Sequence, residues 1–153
     1  MTRTRWVLLA YRLPREPSTP RIGLWRQLRR LGVVQIGDGV VALPLDARTR
    51  EQLEWLADDV VAEGGDATVW LAEPGSAAQE RALAERMAAA VTGDYERVIQ
   101  AASITASTTD MRTVRRLRRE LGRISARDYF PDGTAARAHL VVERLSRALE
   151  AAS

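Results

Sequence analysis

The chain has 153 residues, 46% of them apolar, and no run approaches the roughly 18–20 apolar residues that a membrane helix needs. Cysteine is absent and His139 is the single histidine. That excludes disulfides, thiolate metal sites and thiol redox chemistry, and it argues against a multi-histidine zinc site. The net charge of +3 conceals a segregation: residues 1–40 carry eight arginines against two acids, residues 41–110 five against thirteen, residues 111–130 seven against two, and the tail balances. Two basic blocks flanking an acidic one either pair within the fold or present a positive surface to a polyanion.

Arg3 and Arg5 precede an apolar run, Trp6 to Ala10, that is too short for a signal peptide, so a cytoplasmic bacterial protein is expected. The same run suits a strand buried on both faces. Pro14, Pro17 and Pro20 interrupt it with a loop. From about Arg21 an amphipathic helix follows: Leu24, Leu28 and Leu31 share one side with Trp25 beside them, Arg26, Arg29 and Arg30 point away, and Gly32 ends it. Val33 to Ile36 and Val40 to Leu45 read as strands joined by the turn Gly37-Asp38-Gly39. Asp46 is an N-cap for a helix from about Arg48 to Glu63, with Leu53, Leu56 and Val60 inward and Trp55 flanking. Gly64-Gly65 stops it, and Ala67 to Ala72 is a fourth strand.

Strand, helix, strand, strand, helix, strand is the order of a ferredoxin-like fold: an antiparallel βαββαβ sheet with both helices on one face. The other face needs a cover, from the rest of the chain, a second copy or a partner. Pro74-Gly75 marks the domain boundary, giving an α+β protein with a ferredoxin-like domain over 1–73 and a helical region over 74–153 that packs on it. In that region Ser76 and Gln79 form a capping box. The helix they open runs to Val91 and either breaks at Gly93 or continues through Ile99. Ser103 to Thr109 reads as a link. A second helix starts near Asp110, with Met111, Val114, Leu117, Leu121 and Ile124 as a packing seam. The turn Asp128 to Gly133 precedes a last helix over Thr134 to Ala151, with Ala138, Val142, Leu145 and Leu149 inward.

No nucleophile, base or metal constellation emerges, so a non-enzymatic protein without a cofactor or metal is expected. The candidate site is cationic: Arg12, Arg15, Arg21, Arg26, Arg29 and Arg30, then Arg112, Arg115, Arg116, Arg119 and Arg123. Guanidinium forks match phosphate geometry and a row of them suits a nucleic-acid backbone, but taken alone these residues mark either a basic binding module or an ordinary solvated helix face. Arg115, Arg116, Arg118 and Arg119 cannot all face one way, so some must pair with acids or meet a partner. Trp6, Trp25, Trp55 and Trp70 are read as core or interface residues, His139 as a surface or packing histidine, and Asp128 as a cap or an ion-pair partner. A homodimer or interaction module without nucleic-acid binding is the alternative.

The stretch WVLLAYRLPREPSTPRIGLWRQLRRLG, the Gly-Asp-Gly hairpin ending in Leu43-Pro44, LEWLADDVVAEGGDATVWLA, and an arginine-rich helix ending in IxARDYF at Ile124 to Phe130 together resemble the N-terminal domain of the ChrB family. The resemblance implies a cytoplasmic, DNA-binding regulator of chromate-resistance genes. Many members also carry a C-terminal rhodanese-like domain, with no counterpart in these residues; a chromate sensor located there would leave this chain to bind DNA without sensing chromate, or to work on something else. The first half is more loosely similar to the ferredoxin-like domain of CRISPR spacer-acquisition nucleases and to the middle domain of PaaX repressors. Those nucleases hold a metal with an acid at the end of strand one, where this chain has Tyr11-Arg12-Leu13, and an arginine repels a cation.

Overall fold

A computed structural model describes residues 5–104 and 110–152. The chain divides into two compact units with the boundary after Glu85. The first contains β1 (Trp6–Arg12), α1 (Thr19–Leu31), β2 (Val34–Gly37), β3 (Val40–Pro44), α2 (Ala47–Ala62) and β4 (Asp66–Ala72). The strands form one antiparallel sheet in the order β2-β3-β1-β4. This is the ferredoxin-like arrangement, in which each strand–helix–strand crossover skips one position and the gap is filled by a strand of the other crossover.

Its core follows from alternation along the strands. Val7 and Leu9 of β1 stand opposite Leu43 and Val41 of β3, and opposite Leu71 and Val69 of β4. Period two puts them on one face, and Val7, Leu9, Val41 and Leu43 are all completely buried. α2 packs on β1 and β4 through Leu53, Leu56 and Val60. α1 lies beside α2, because Pro20, Gly23 and Leu24 share a small groove with Asp59, Val60 and Glu63. Leu28 of α1 is fully buried, a contribution of about 1.5–3 kcal/mol for a side chain of its size. On the other face Trp6, Val34 and Ala42 are buried as well, while Trp70 stays exposed.

Two local devices fix the ends of these elements. Asp46 accepts the Thr49 backbone N–H at 2.7 Å, and the Thr49 hydroxyl accepts the Asp46 N–H at 2.9 Å, a reciprocal capping box that starts α2. In the Gly37-Asp38-Gly39 hairpin, Gly39 has a φ of 68° and its carbonyl accepts the Tyr11 N–H at 2.8 Å. A Cβ at Gly39 would lie 2.4 Å from the Tyr11 carbonyl oxygen, so only glycine lets the hairpin close against the end of β1.

α3 (Ala77–Ile104) begins in the first unit, and its later turns belong to the second together with α4 (Met111–Ala126) and α5 (Thr134–Ala152). α3 runs unbroken through Gly93, because Val91 and Tyr95 on either side are buried and their packing outweighs the intrinsic cost of glycine. Ser103 and Ile104 extend this helix rather than opening a link; the remainder of that expected link, 105–109, lies outside the described residues. The second core joins Tyr95, Val98 and Ala102 of α3 to Val114, Leu117, Leu121 and Ile124 of α4, and to Ala138, Val142 and Leu145 of α5. Among the described residues no helix is long and apolar enough to cross a membrane.

Candidate nucleic-acid interface

In the first unit the basic side chains come from two neighbouring elements. Arg12 ends β1, Arg15 lies in the loop that follows, and Arg21, Arg26, Arg29 and Arg30 lie on α1. All six are exposed, and none makes an ion pair among the described residues. The burial of Leu24 and Leu28 turns the other side of α1 outward, and the arginines share that side with two apolar residues, Ile22 at 49% exposure and Trp25 at 43%. Between α1, the end of β1 and the β2–β3 hairpin lies an open groove of about 760 Å³. Tyr11, Arg12, Arg21, Trp25, Gln35 and Asp38 are among the residues lining it. Burial pushes the Tyr11 hydroxyl pKa up, and the nearby Arg21 charge opposes that shift.

In the second unit the sorting on α4 is sharper. Val114, Leu117, Leu121 and Ile124 are all buried. Opposite them Arg112, Arg116, Arg119 and Arg123 follow one another at helical spacing, with Arg115 beside them, and all five are exposed. Arg118 sits at the edge of this stripe and forks onto Glu143 of α5 at 3.0 and 3.2 Å, which raises its pKa and lowers that of Glu143. Arg123 meets Glu120 at 3.3 Å, an exposed pair. Arg112, Arg115, Arg116 and Arg119 make no ion pair among the described residues. Of the eleven candidate arginines, Arg123 is thus the one with an acidic partner there.

The ARDYF stretch has a different task. Arg127 pairs with Asp94 of α3 at 3.0 Å, with side chains only 16% and 21% exposed. The buried Tyr95 donates its hydroxyl to Asp128 at 3.2 Å. Burial first, and the Asp128 charge second, hold the Tyr95 hydroxyl up to about 12. Asp132 accepts the Thr134 N–H at 3.0 Å, starting α5, and the Thr92 hydroxyl at 2.7 Å. Hydrogen bonds from the Thr134 side chain first, then from its N–H and from Thr92, lower the Asp132 pKa to about 2. Arg137 also pairs with Glu96. These interactions clamp the α4–α5 turn onto α3, so acids of the central block are consumed by Arg127 and Arg137, not by the candidate arginines.

The tryptophans divide. Trp6 is core at 1% exposure, whereas Trp25, Trp55 and Trp70 are 43%, 61% and 59% exposed, so of the core-or-interface reading only the core half is corrected for these three. Apolar character at a helix edge or on an edge strand is no guarantee of burial. The Trp70 indole N–H is satisfied locally by the Thr68 hydroxyl at 2.8 Å. His139 lies exposed on α5. Among the described residues no group of three or more His, Asp or Glu side chains is placed to hold a metal. Arg12, where the metal-dependent nucleases have an acid, stands opposite Asp66 across the β1–β4 ladder. The groove beside α1 was missed by sequence reasoning; its signal was the Ile22 and Trp25 pair on the arginine side of the helix.

Residues 21–110, from the first turn of α1 to the cap of α4, match the family model described as protein ChrB, N-terminal. The chain belongs to the ChrB N-terminal family. Over 148 residues it is 32% identical to Protein ChrB of Cupriavidus metallidurans, covering 90% of this chain and 44% of that relative. It therefore spans less than half of the ChrB protein it matches. No solved structure matches the chain.

Proposed function

We propose that this ChrB-family chain is a non-enzymatic, cytoplasmic DNA-binding regulator linked to chromate resistance, and that its exposed arginines contact the phosphate backbone. The observation that carries the reading is the set of ten exposed arginines, six around α1 and four on α4, without an ion pair among the described residues. A guanidinium left without a carboxylate keeps all five donors for an incoming phosphate. Such contacts set position and register on a duplex; sequence is read elsewhere, through base edges or DNA shape.

A mobility-shift titration with genomic fragments, repeated at several salt concentrations, tests the proposal. Binding is expected to weaken steeply as salt rises, because each phosphate neutralised releases counterions. The absence of a shift even at low salt, together with salt-sensitive self-association by light scattering, would replace it with a homodimeric interaction module.

A further inference from the structure

The groove beside α1 has a composition that duplex backbone contacts do not require. A row of arginines is enough for phosphates. Here the arginines are joined by Trp25, 43% exposed on the same side of the helix, and by Tyr11 at the end of β1. Trp25 lies outside the buried core of the first unit and leaves 43% of its surface open. At about 760 Å³ the groove falls within the range of small-ligand sites. Its two sides also differ chemically. Arg12 and Arg21, both without an ion pair among the described residues, come from the end of β1 and the first turn of α1. Asp38 and Gln35 come from the hairpin. Ser18, at the N-cap of α1, makes no capping bond with its side chain and also lines the groove.

We propose that this groove is a nucleotide subsite, in which Arg12 and Arg21 hold a phosphate and Trp25 stacks on an unpaired base. An aromatic face accepts any base, and guanidinium groups supply the phosphate donors. The Asp38 carboxylate repels a phosphate at the hairpin side and can accept a hydrogen bond from a base N–H, such as N3–H of thymine, so the ligand enters in one orientation. The shared chemistry is that of a nucleotide, whether free or carried in a single strand. The proposal deepens the DNA-binding reading, yet it depends on different side chains from those of α4.

The full chain carrying Trp55→Phe and Trp70→Phe retains Trp25 as its exposed tryptophan, with Trp6 buried as an internal reference. Its fluorescence is titrated with thymidine monophosphate, a short oligothymidylate and inorganic phosphate. The nucleotide probes are expected to quench Trp25, and phosphate to compete without quenching. Comparable affinity for both nucleotide probes identifies a free nucleotide as the ligand, and binding of the oligomer alone identifies a single strand. In the otherwise unaltered chain, Trp25→Ala should weaken oligothymidylate binding roughly five-fold or more, the scale of losing one stacking ring, and Trp25→Phe should restore most of it. Arg21→Ala should weaken it and flatten its salt dependence by the equivalent of about one phosphate. No Trp25 quenching by either nucleotide, while duplex fragments still shift, would overturn the subsite and leave the DNA reading standing. Quenching without any duplex shift would do the reverse.

Discussion

The two helices that carry the candidate arginines, α1 and α4, solve different problems with the same residue. On α4 the apolar and cationic positions are cleanly opposed: the seam of Val114, Leu117, Leu121 and Ile124 is buried, and the arginines occupy the remaining face. Ordinary amphipathic packing accounts for that pattern, including Arg118, which is drawn off to Glu143. On α1 the buried residues are Leu24 and Leu28, and Ile22 and Trp25 are half-exposed beside the arginines. An exposed apolar pair beside a cationic row adds an aromatic and an aliphatic contact to the charge, which the α4 face does not have. The comparison separates a face that provides charge from one that provides charge together with shape.

The largest expected effect comes from removing charge on one helix at a time. Arg26→Ala, Arg29→Ala and Arg30→Ala combined, or Arg112→Ala, Arg116→Ala and Arg119→Ala combined, keep each helix intact because alanine is the best helix former. Each set should flatten the slope of log affinity against log salt by roughly 0.9 for every phosphate no longer neutralised, up to about 2.7 for three. If only the α1 set changes the slope of duplex binding, the stripe on α4 is a solvated face and the binding surface lies in the first unit alone.

The same contrast explains what the sequence made legible. Elements decided by short-range rules were readable: the Asp46 cap, the Gly37-Asp38-Gly39 turn and the α4 seam each follow from residues a few positions apart. The sheet followed from the order of those elements, since crossover rules leave few topologies. Continuity through Gly93 was not readable, because it depends on burial of Val91 and Tyr95 against helices far along the chain. The role of ARDYF was hidden for the same reason. Arg127 and Asp128 find Asp94 and Tyr95 across 33 residues, a pairing that no local pattern announces. The arginines were legible as a set, but which of them acids would neutralise was a tertiary question.

A smaller effect is expected from the clamp of the second unit, which has no equivalent around α1 among the described residues. Asp94→Asn leaves the largely buried Arg127 guanidinium without its charged partner. The cost should be about 1–2 kcal/mol, above that of an exposed pair and below that of a fully buried one. A urea midpoint measured by circular dichroism checks it. The exposed pair of Arg123 and Glu120 sets the contrast, and Glu120→Gln should change the midpoint by about 0.5 kcal/mol or less.

The smallest effect is a pH dependence confined to the same turn. Asp132 is held down to about 2 by the hydrogen bonds it accepts, first from Thr134 and then from Thr92. A carboxyl whose folded pKa lies below its unfolded value favours the fold while it is ionised. Its contribution is present above the ordinary carboxylate range and is lost as pH falls from about 4 towards about 2, since protonation removes acceptors that Thr134 and Thr92 use. Asp132→Asn keeps a side-chain oxygen for the cap but cannot titrate. The variant should therefore be less stable than the parent at neutral pH, where ionised Asp132 contributes, and should lose less stability than the parent between pH 4 and pH 2. An acid limb with the same slope in both proteins would mean that other carboxylates, and not the start of α5, govern how this unit fails in acid.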